Sequence, residues 1–173
     1  MLQLPGGNFC NYECATQYGK EKGLKKIEKD RKEKHKQLKK KVKDNDRSHW
    51  TKKAQSEFNK FIRIRDKNDP CISCGRFHSG QYHAGHYRTV GANPELRFNP
   101  NNCHKQCSAC NNHLSGNLVN YRIGLISKMG IKEVENLEAF HPQKRYTIEN
   151  LKTIYRWYRR KNRRLENAKD SIL

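Results

Sequence analysis

The chain has 173 residues, of which 37 are Lys or Arg and 17 Asp or Glu, giving a formal charge of +20, and hydrophobic residues make up only 34%. That length suits one domain with appendages, and the apolar content is too low for one core through the whole chain, so part of it is expected as solvated helix or tail. No apolar run approaches a membrane span and no secretory signal opens the sequence, while seven cysteines in short pairs read as metal ligands in a reducing compartment rather than disulfides. The charge excess calls for a polyanionic partner, nucleic acid ahead of anionic membrane.

Residues 1–19 hold Cys10 and Cys14. This CxxxC reads either as the second half of a zinc finger or as two free thiols. Residues 20–47 form a basic, partly helical arm. Between Lys20 and Lys43 only Leu24, Ile27, Leu38 and Val42 are strongly apolar, enough for at most a thin stripe on a solvated helix. From Ser48, placed to N-cap, Trp50, Ala54, Phe58, Phe61, Ile62 and Arg65 fall at helical spacing and predict an amphipathic helix ended by Asp69-Pro70.

Residues 70–117 are rich in Cys, His, Asn and Gly and read as short strands and turns pinned by metal. Helix returns with Leu118, Tyr121, Leu125, Ile126 and Met129 on one face and Gly130 as its stop. A short helix is expected over about 131–139, and His141-Pro142 breaks it. Thr147 then caps a last helix with an apolar face of Leu151, Ile154, Tyr155, Tyr158 and Leu165. Its other face carries Arg156, Arg159, Arg160, Arg163 and Arg164. The organisation expected is thus a Cys-containing segment (1–19), a basic arm (20–47), a zinc-stabilised core (48–140) and a basic C-terminal helix (141–173).

Cys71-Ile-Ser-Cys74 and Cys107-Ser-Ala-Cys110 are two CxxC pairs. Each makes a tight turn that aims two thiolates at one point, and two such turns supply the closed tetrahedral sulfur set that Zn²⁺ prefers. Gly75 suits the backbone of such a knuckle. A closed site leaves no open position, so this zinc is expected to be structural, supplying folding energy that a small core lacks. Cys103 is the odd thiol of the block and reads as a small buried hydrophobe.

Between and after these pairs lie His86, Asn102 and Asn111. A strand carrying His86, a returning segment carrying Asn102 and a helix starting near Asn111 would make a ββα unit with zinc turns at its ends. The constellation resembles the His-Asn-His (His-Me finger) nucleases, in the branch that has Asn rather than His at the position after the last zinc Cys. Within that superfamily the stretches CISCG, AGHYRT, ELRFN, NNCHKQCSACN and SGNLVNY look very close to the lambda-phage NinG (Rap) recombination protein family, from about Ser48 to the C-terminal helix.

The resemblance implies an α+β, mostly helical fold: a small zinc-bound ββα-metal nuclease core, flanked by amphipathic helices and a basic N-terminal arm. It implies that His86 activates water, Asn102 orients His86, and Asn111 binds a divalent metal, Mg²⁺ or Mn²⁺. Many such nucleases carry a metal-binding Asp directly before the base, where Gly85 stands here. His83 is a tentative second ligand; three residues before His86 it would face the opposite side of an ideal strand, and a bulge or turn at Ala84-Gly85 would bring it round. Arg88 and Arg97 flank the site and could clamp the scissile phosphate. His104 and His113 read as surface or phosphate-contacting groups, His78 as loop.

The function so implied is a structure-selective DNA endonuclease of phage recombination, hydrolysing phosphodiester bonds in Holliday junctions and displacement loops, in the cytoplasm of a phage-infected or prophage-carrying bacterium. Two coordinated nicks would call for a homodimer, with other phage recombination proteins as further partners. The alternative is a non-catalytic zinc-ribbon nucleic-acid-binding adaptor, which the cysteines and the charge fit equally. In either case the basic arm and the arginines of the last helix are expected to contact phosphates. A His base predicts activity that falls below about pH 6.5.

Overall fold

The computed structural model describes residues 2–4 and 7–170 and divides into two compact units, residues 1–46 and 47–173. In the first, β1 (Leu2–Leu4) and β2 (Gly7–Phe9) pair antiparallel, Leu2 opposite Phe9 and Leu4 opposite Gly7. Helix α1 (Tyr12–Asp44) follows and buries no residue. Asn11 caps it, its Oδ1 accepting the Cys14 N–H at 2.8 Å. Leu24, Ile27, Leu38 and Val42 are 61–66% exposed, so the thin apolar stripe covers nothing within this unit. Helix formers and pairs such as Glu28–Lys32, 2.7 Å apart, hold α1 instead. The boundary expected between residues 19 and 20 lies inside this helix, and Cys10 and Cys14 stand exposed at its start.

In the second unit α2 (Arg47–Arg65) packs along α5 (Ile148–Asp170). Helix α2 starts at Arg47, so Ser48 lies in its first turn and is not the cap residue that its sequence position predicts. Ala54, Phe58, Phe61 and Ile62 form the buried face of α2, as their spacing requires. Phe58 meets the rings of Phe98 and Tyr158 edge-on at 5.8 and 5.1 Å, and a side chain buried in this way contributes about 1.5–3 kcal/mol. Thr147 caps α5, its Oγ1 accepting the Asn150 N–H at 3.2 Å. Tyr158, Leu151 and Tyr146 of the C-terminal segment join Phe58, Phe98 and Cys103 in one core. Tyr146 and α5 are therefore part of the same body as α2.

Strands β3 (Tyr82–His86) and β4 (Cys103–Cys107) pair antiparallel in unbroken register, from Tyr82 opposite Cys107 to His86 opposite Cys103. No bulge forms at Ala84-Gly85, so His83 and His86 stay on opposite faces. One face of the pair, with Ala84 and Cys103, packs on the α2–α5 core. The other meets α3 (Leu118–Met129), where the Tyr121 hydroxyl donates to the Gly85 carbonyl at 2.8 Å. Together with α4 (Ile131–Glu138), α3 builds a second core of Tyr87, Leu96, Tyr121, Leu125, Val134 and Leu137. The chain is thus mostly helical α+β with two small sheets. Among the described residues no helix is long and apolar enough to cross a membrane.

Candidate metal centre and active site

The sulfurs of Cys71, Cys74, Cys107 and Cys110 all lie within 4.8 Å of one another. A tetrahedral zinc with Zn–S bonds of about 2.3 Å brings its sulfurs to about 3.8 Å, so this set fits a metal ion such as zinc with little movement. The local backbone is already a knuckle. Gly75, at φ +66°, returns its N–H to the Cys71 carbonyl at 2.9 Å. The N–H of Cys107 donates to Cys71 Sγ at 3.3 Å, that of Cys110 to Cys107 Sγ at 3.5 Å, and Asn117 Nδ2 to Cys110 Sγ at 3.5 Å. Burial by itself pushes the Cys71 thiol up, but the backbone N–H groups of Cys74, Cys107 and Ser73 outweigh it and bring the thiol down to about 7, towards the thiolate that a metal needs.

The centre is wedged between elements. Helix α3 crosses the first knuckle at Gly124, where a Cβ would stand 2.1 Å from the Ile72 carbonyl oxygen. The turn Ser115-Gly116-Asn117, left-handed throughout, closes the other side. Buried Gln106 of β4 donates to the Gly116 carbonyl at 2.5 Å and to Ser73 Oγ at 2.7 Å. Cluster, hairpin and α3 thus form one unit.

His86 ends β3, half-buried, with its ring 5.9 Å from that of Phe58. Its Nε2 lies 2.9 Å from the Arg97 carbonyl. A carbonyl only accepts, so Nε2 carries the proton and Nδ1 is the basic lone pair. Nδ1 faces Cys103 Sγ at 3.7 Å. Burial holds the imidazole below its usual pKa, the Arg97 carbonyl opposes this, and the Arg97 charge adds to it.

Asn102 is fully buried and does not reach His86. Its Oδ1 accepts the Arg88 N–H at 2.8 Å, and its Nδ2 donates to the carbonyls of Arg88 and Leu96 at 3.0 and 3.3 Å. The expected orienting bond from Asn102 to His86 is therefore replaced by a different arrangement. Asn102 holds the loop between the strands, and the Arg97 carbonyl on that loop holds His86. Asn101, its exposed neighbour, has no such part.

Asn111 lies on the face opposite His86. A Cβ at Gly85 would stand 3.0 Å from Asn111 Oδ1 and 2.1 Å from Gln106 Oε1, so two amide oxygens converge where β3 carries no side chain. His83 shares that face, with Nε2 3.5 Å from Asn112 Nδ2, and Asn111 donates to Asn112 at 2.6 Å. Asn112 thus reaches both Asn111 and His83 without a bulge, while His86 stands on the other face of the strand from His83. The two amide oxygens at Gly85 are hard donors of the kind that suits a divalent cation.

Arg88 has its Nε buried with no hydrogen-bond partner. Arg156, Arg159, Arg160, Arg163 and Arg164 are all exposed on α5. His104 is not at the surface: it is 2% exposed, beside Tyr121, and burial pushes its pKa down to about 3. Cys103 is buried as expected. Sequence reading missed Gln106, because a glutamine in a strand carries no mark of chemistry, and also Arg47 and Lys144, which converge on Arg97 only through the tertiary fold.

Comparison with known proteins places these features in context. A family profile described as "Bacteriophage Lambda NinG protein" matches residues 5–169. The protein called ninG of Escherichia phage lambda is 52% identical over 123 residues, covering 71% of this chain and 60% of that protein. The ninG protein of Salmonella phage P22 is 50% identical over 125 residues, 72% of this chain and 60% of that one. The chain therefore spans about 60% of the length of the curated relatives it matches. No solved structure matches it.

Proposed function

The chain belongs to the bacteriophage lambda NinG family, and from that premise we propose that it is a metal-dependent, structure-selective DNA endonuclease of the His-Me finger type, acting on branched DNA in phage recombination. The observation that carries the reading is the β3–β4 pair. It ends at His86, opposite Cys103, and runs through β4 into the cysteine centre just before Asn111, whose Oδ1 comes up against Gly85, the chain neighbour of His86. Neutral His86, held through Nε2–H by the Arg97 carbonyl, takes a proton from water at Nδ1 as that water attacks a phosphodiester. Asn102 keeps the Arg88–Arg97 loop in place and so acts through the backbone. Arg88 neutralises the scissile phosphate, and Arg97, whose side chain points into a neighbouring cleft, the backbone beside it. Asn111 and His83 would hold Mg²⁺ or Mn²⁺, which when bound offsets charge on the phosphorane and leaving oxygen. Zinc at the four cysteines is structural.

The adaptor reading has one observation in its favour. Both ring nitrogens of His86 already face protein atoms, the Arg97 carbonyl and Cys103 Sγ, as in a structural histidine.

The test is cleavage of a four-way DNA junction with Mg²⁺ or Mn²⁺ by the wild-type chain, His86→Ala and Asn111→Ala, each checked for zinc content and for junction binding without divalent metal. Loss of cleavage with retained binding in both variants supports the nuclease. Cleavage by His86→Ala at the wild-type rate removes the base, and binding without cleavage by the wild type establishes the adaptor. Charge reversal at Arg159 and Arg160 together is expected to weaken binding and flatten its salt dependence.

A further inference from the structure

A cleft of about 290 Å³ opens where the first turn of α2 meets the loop after β3 and the segment leading into α5. Arg47, Arg97 and Lys144 line it, together with Thr51 and Tyr146, and among the described residues no carboxylate does. These three cations come from three distant stretches of sequence and are gathered by the packing of α2 against α5. The Arg47 guanidinium is fixed by Nε–H donating to the Tyr146 carbonyl at 2.9 Å. That of Arg97 is fixed by Nη1 donating to Gln55 Oε1 at 3.2 Å. Lys144 Nζ lies 5.2 Å from the centre of the Tyr146 ring, and the Tyr146 hydroxyl donates to the Glu95 carbonyl at 3.0 Å.

We propose that this cleft holds one phosphodiester of the nucleic-acid backbone, gripped by Arg47, Arg97 and Lys144. Like charges gathered in a cavity without an acid repel one another until an anion enters. Burial holds the Arg97 pKa below its usual value; Tyr146 opposes this and the nearby Arg47 charge adds to it. Each guanidinium is oriented by one N–H on a neutral acceptor, and its planar donors suit phosphate oxygens. The volume is at the small end of ligand pockets, which suits a phosphate with its sugar rather than an intercalated base. Arg97 also links the cleft to the candidate active site, because its carbonyl holds His86 while its side chain enters the cleft. A phosphate seated there fixes the backbone in register with His86. The inference rests on the nucleic-acid reading above but not on cleavage.

The experiment measures binding of a four-way DNA junction over a range of KCl, with no Mg²⁺ or Mn²⁺, for the wild type, Lys144→Glu and Arg47→Ala/Lys144→Ala. Arg145→Ala, exposed and outside the cleft, is the control, and zinc content reports folding. The expected result is weaker binding and a salt slope lower by about one unit in the double variant, one and not two because both cations serve the same phosphate. The control keeps the wild-type slope. Lys144→Glu decides the matter if the double variant fails to fold, since its side chain is exposed. A wild-type slope in Lys144→Glu overturns the proposal. A parallel titration with inorganic phosphate at constant ionic strength follows the Arg47 Nε–H resonance. Saturation there with no change of DNA slope in the variants assigns the cleft to free phosphate and also overturns it. Slope loss in a chain that cleaves nothing leaves the cleft standing and rejects only the nuclease, while normal slopes in an active chain do the reverse.

Discussion

Asn102 grips Arg88 by both halves of its amide, Oδ1 accepting the Arg88 N–H at 2.8 Å and Nδ2 donating to the Arg88 carbonyl at 3.0 Å. The bond mimics a strand partner just beyond the end of β3, where the ladder stops. Asn102→Ala removes the partner of three backbone groups, the Arg88 N–H and the carbonyls of Arg88 and Leu96, and is expected to destabilise the chain by about 1–3 kcal/mol. Junction cleavage is expected to fall less than in His86→Ala, since the base itself remains. Chemical denaturation and cleavage rates check both parts. A stable but wholly inactive Asn102→Ala would give Asn102 a direct role in the chemistry.

Metal analysis is expected to find about one zinc per chain. Cys107→Ser, or treatment with a strong chelator, is expected to abolish cooperative unfolding, because both knuckles and the end of β4 converge on that sulfur set. Circular dichroism against temperature follows the loss. A fully folded, zinc-free Cys107→Ser would remove the structural role.

Gly124 sits inside α3, where alanine ordinarily stabilises a helix by roughly 0.5–1 kcal/mol. Here the substitution is expected to destabilise by about 1–3 kcal/mol, because its Cβ would come within 2.1 Å of the Ile72 carbonyl and push α3 off the first knuckle. Faster zinc release to a chelator should accompany the lost stability. The melting temperature of Gly124→Ala separates the two effects: a rise would mean that helix propensity prevails.

The pH dependence of cleavage departs from the expectation for a free imidazole. Burial lowers the His86 pKa, so its basic form persists below 6.5 and the acid limb of the rate profile is expected below that value. The linked effect on folding has a definite sign. The unfolded chain takes up this proton near pH 6.5 and the folded chain only at lower pH, so the stability contributed is complete above 6.5 and declines as pH falls towards the folded pKa. An acid limb at or above pH 6.5 in a rate profile of the wild type would count against His86 in this environment as the base.

Much of this molecule follows from local chemistry. Phe58, Phe61 and Ile62 mark the buried face of α2 by spacing alone, because a helix in a small domain must bury one stripe. The CxxC pairs announce their own convergence, because a knuckle is a local backbone structure and its sulfurs have one function that satisfies them. The solvation of α1 is equally local, a matter of lysines outnumbering anything that could pack.

What required the tertiary structure is which side of a strand each group faces and what lies across from it. On sequence, a bulge or turn would unite His83 with the site, yet the unbroken β3–β4 register leaves His83 on the face opposite His86, within reach of Asn112. Asn102 bonds to a backbone fourteen residues away in the chain and not to the imidazole. His104 is buried because α3 closes over it through Tyr121. Arg47, Arg97 and Lys144 meet in one cleft only because α2 and α5 pack side by side. A strand's alternation and a helix's period are properties of a few neighbouring residues, and one sequence carries them. Register, facing and the meeting of distant cations depend on how whole elements pack, and that is decided by the burial of both cores at once.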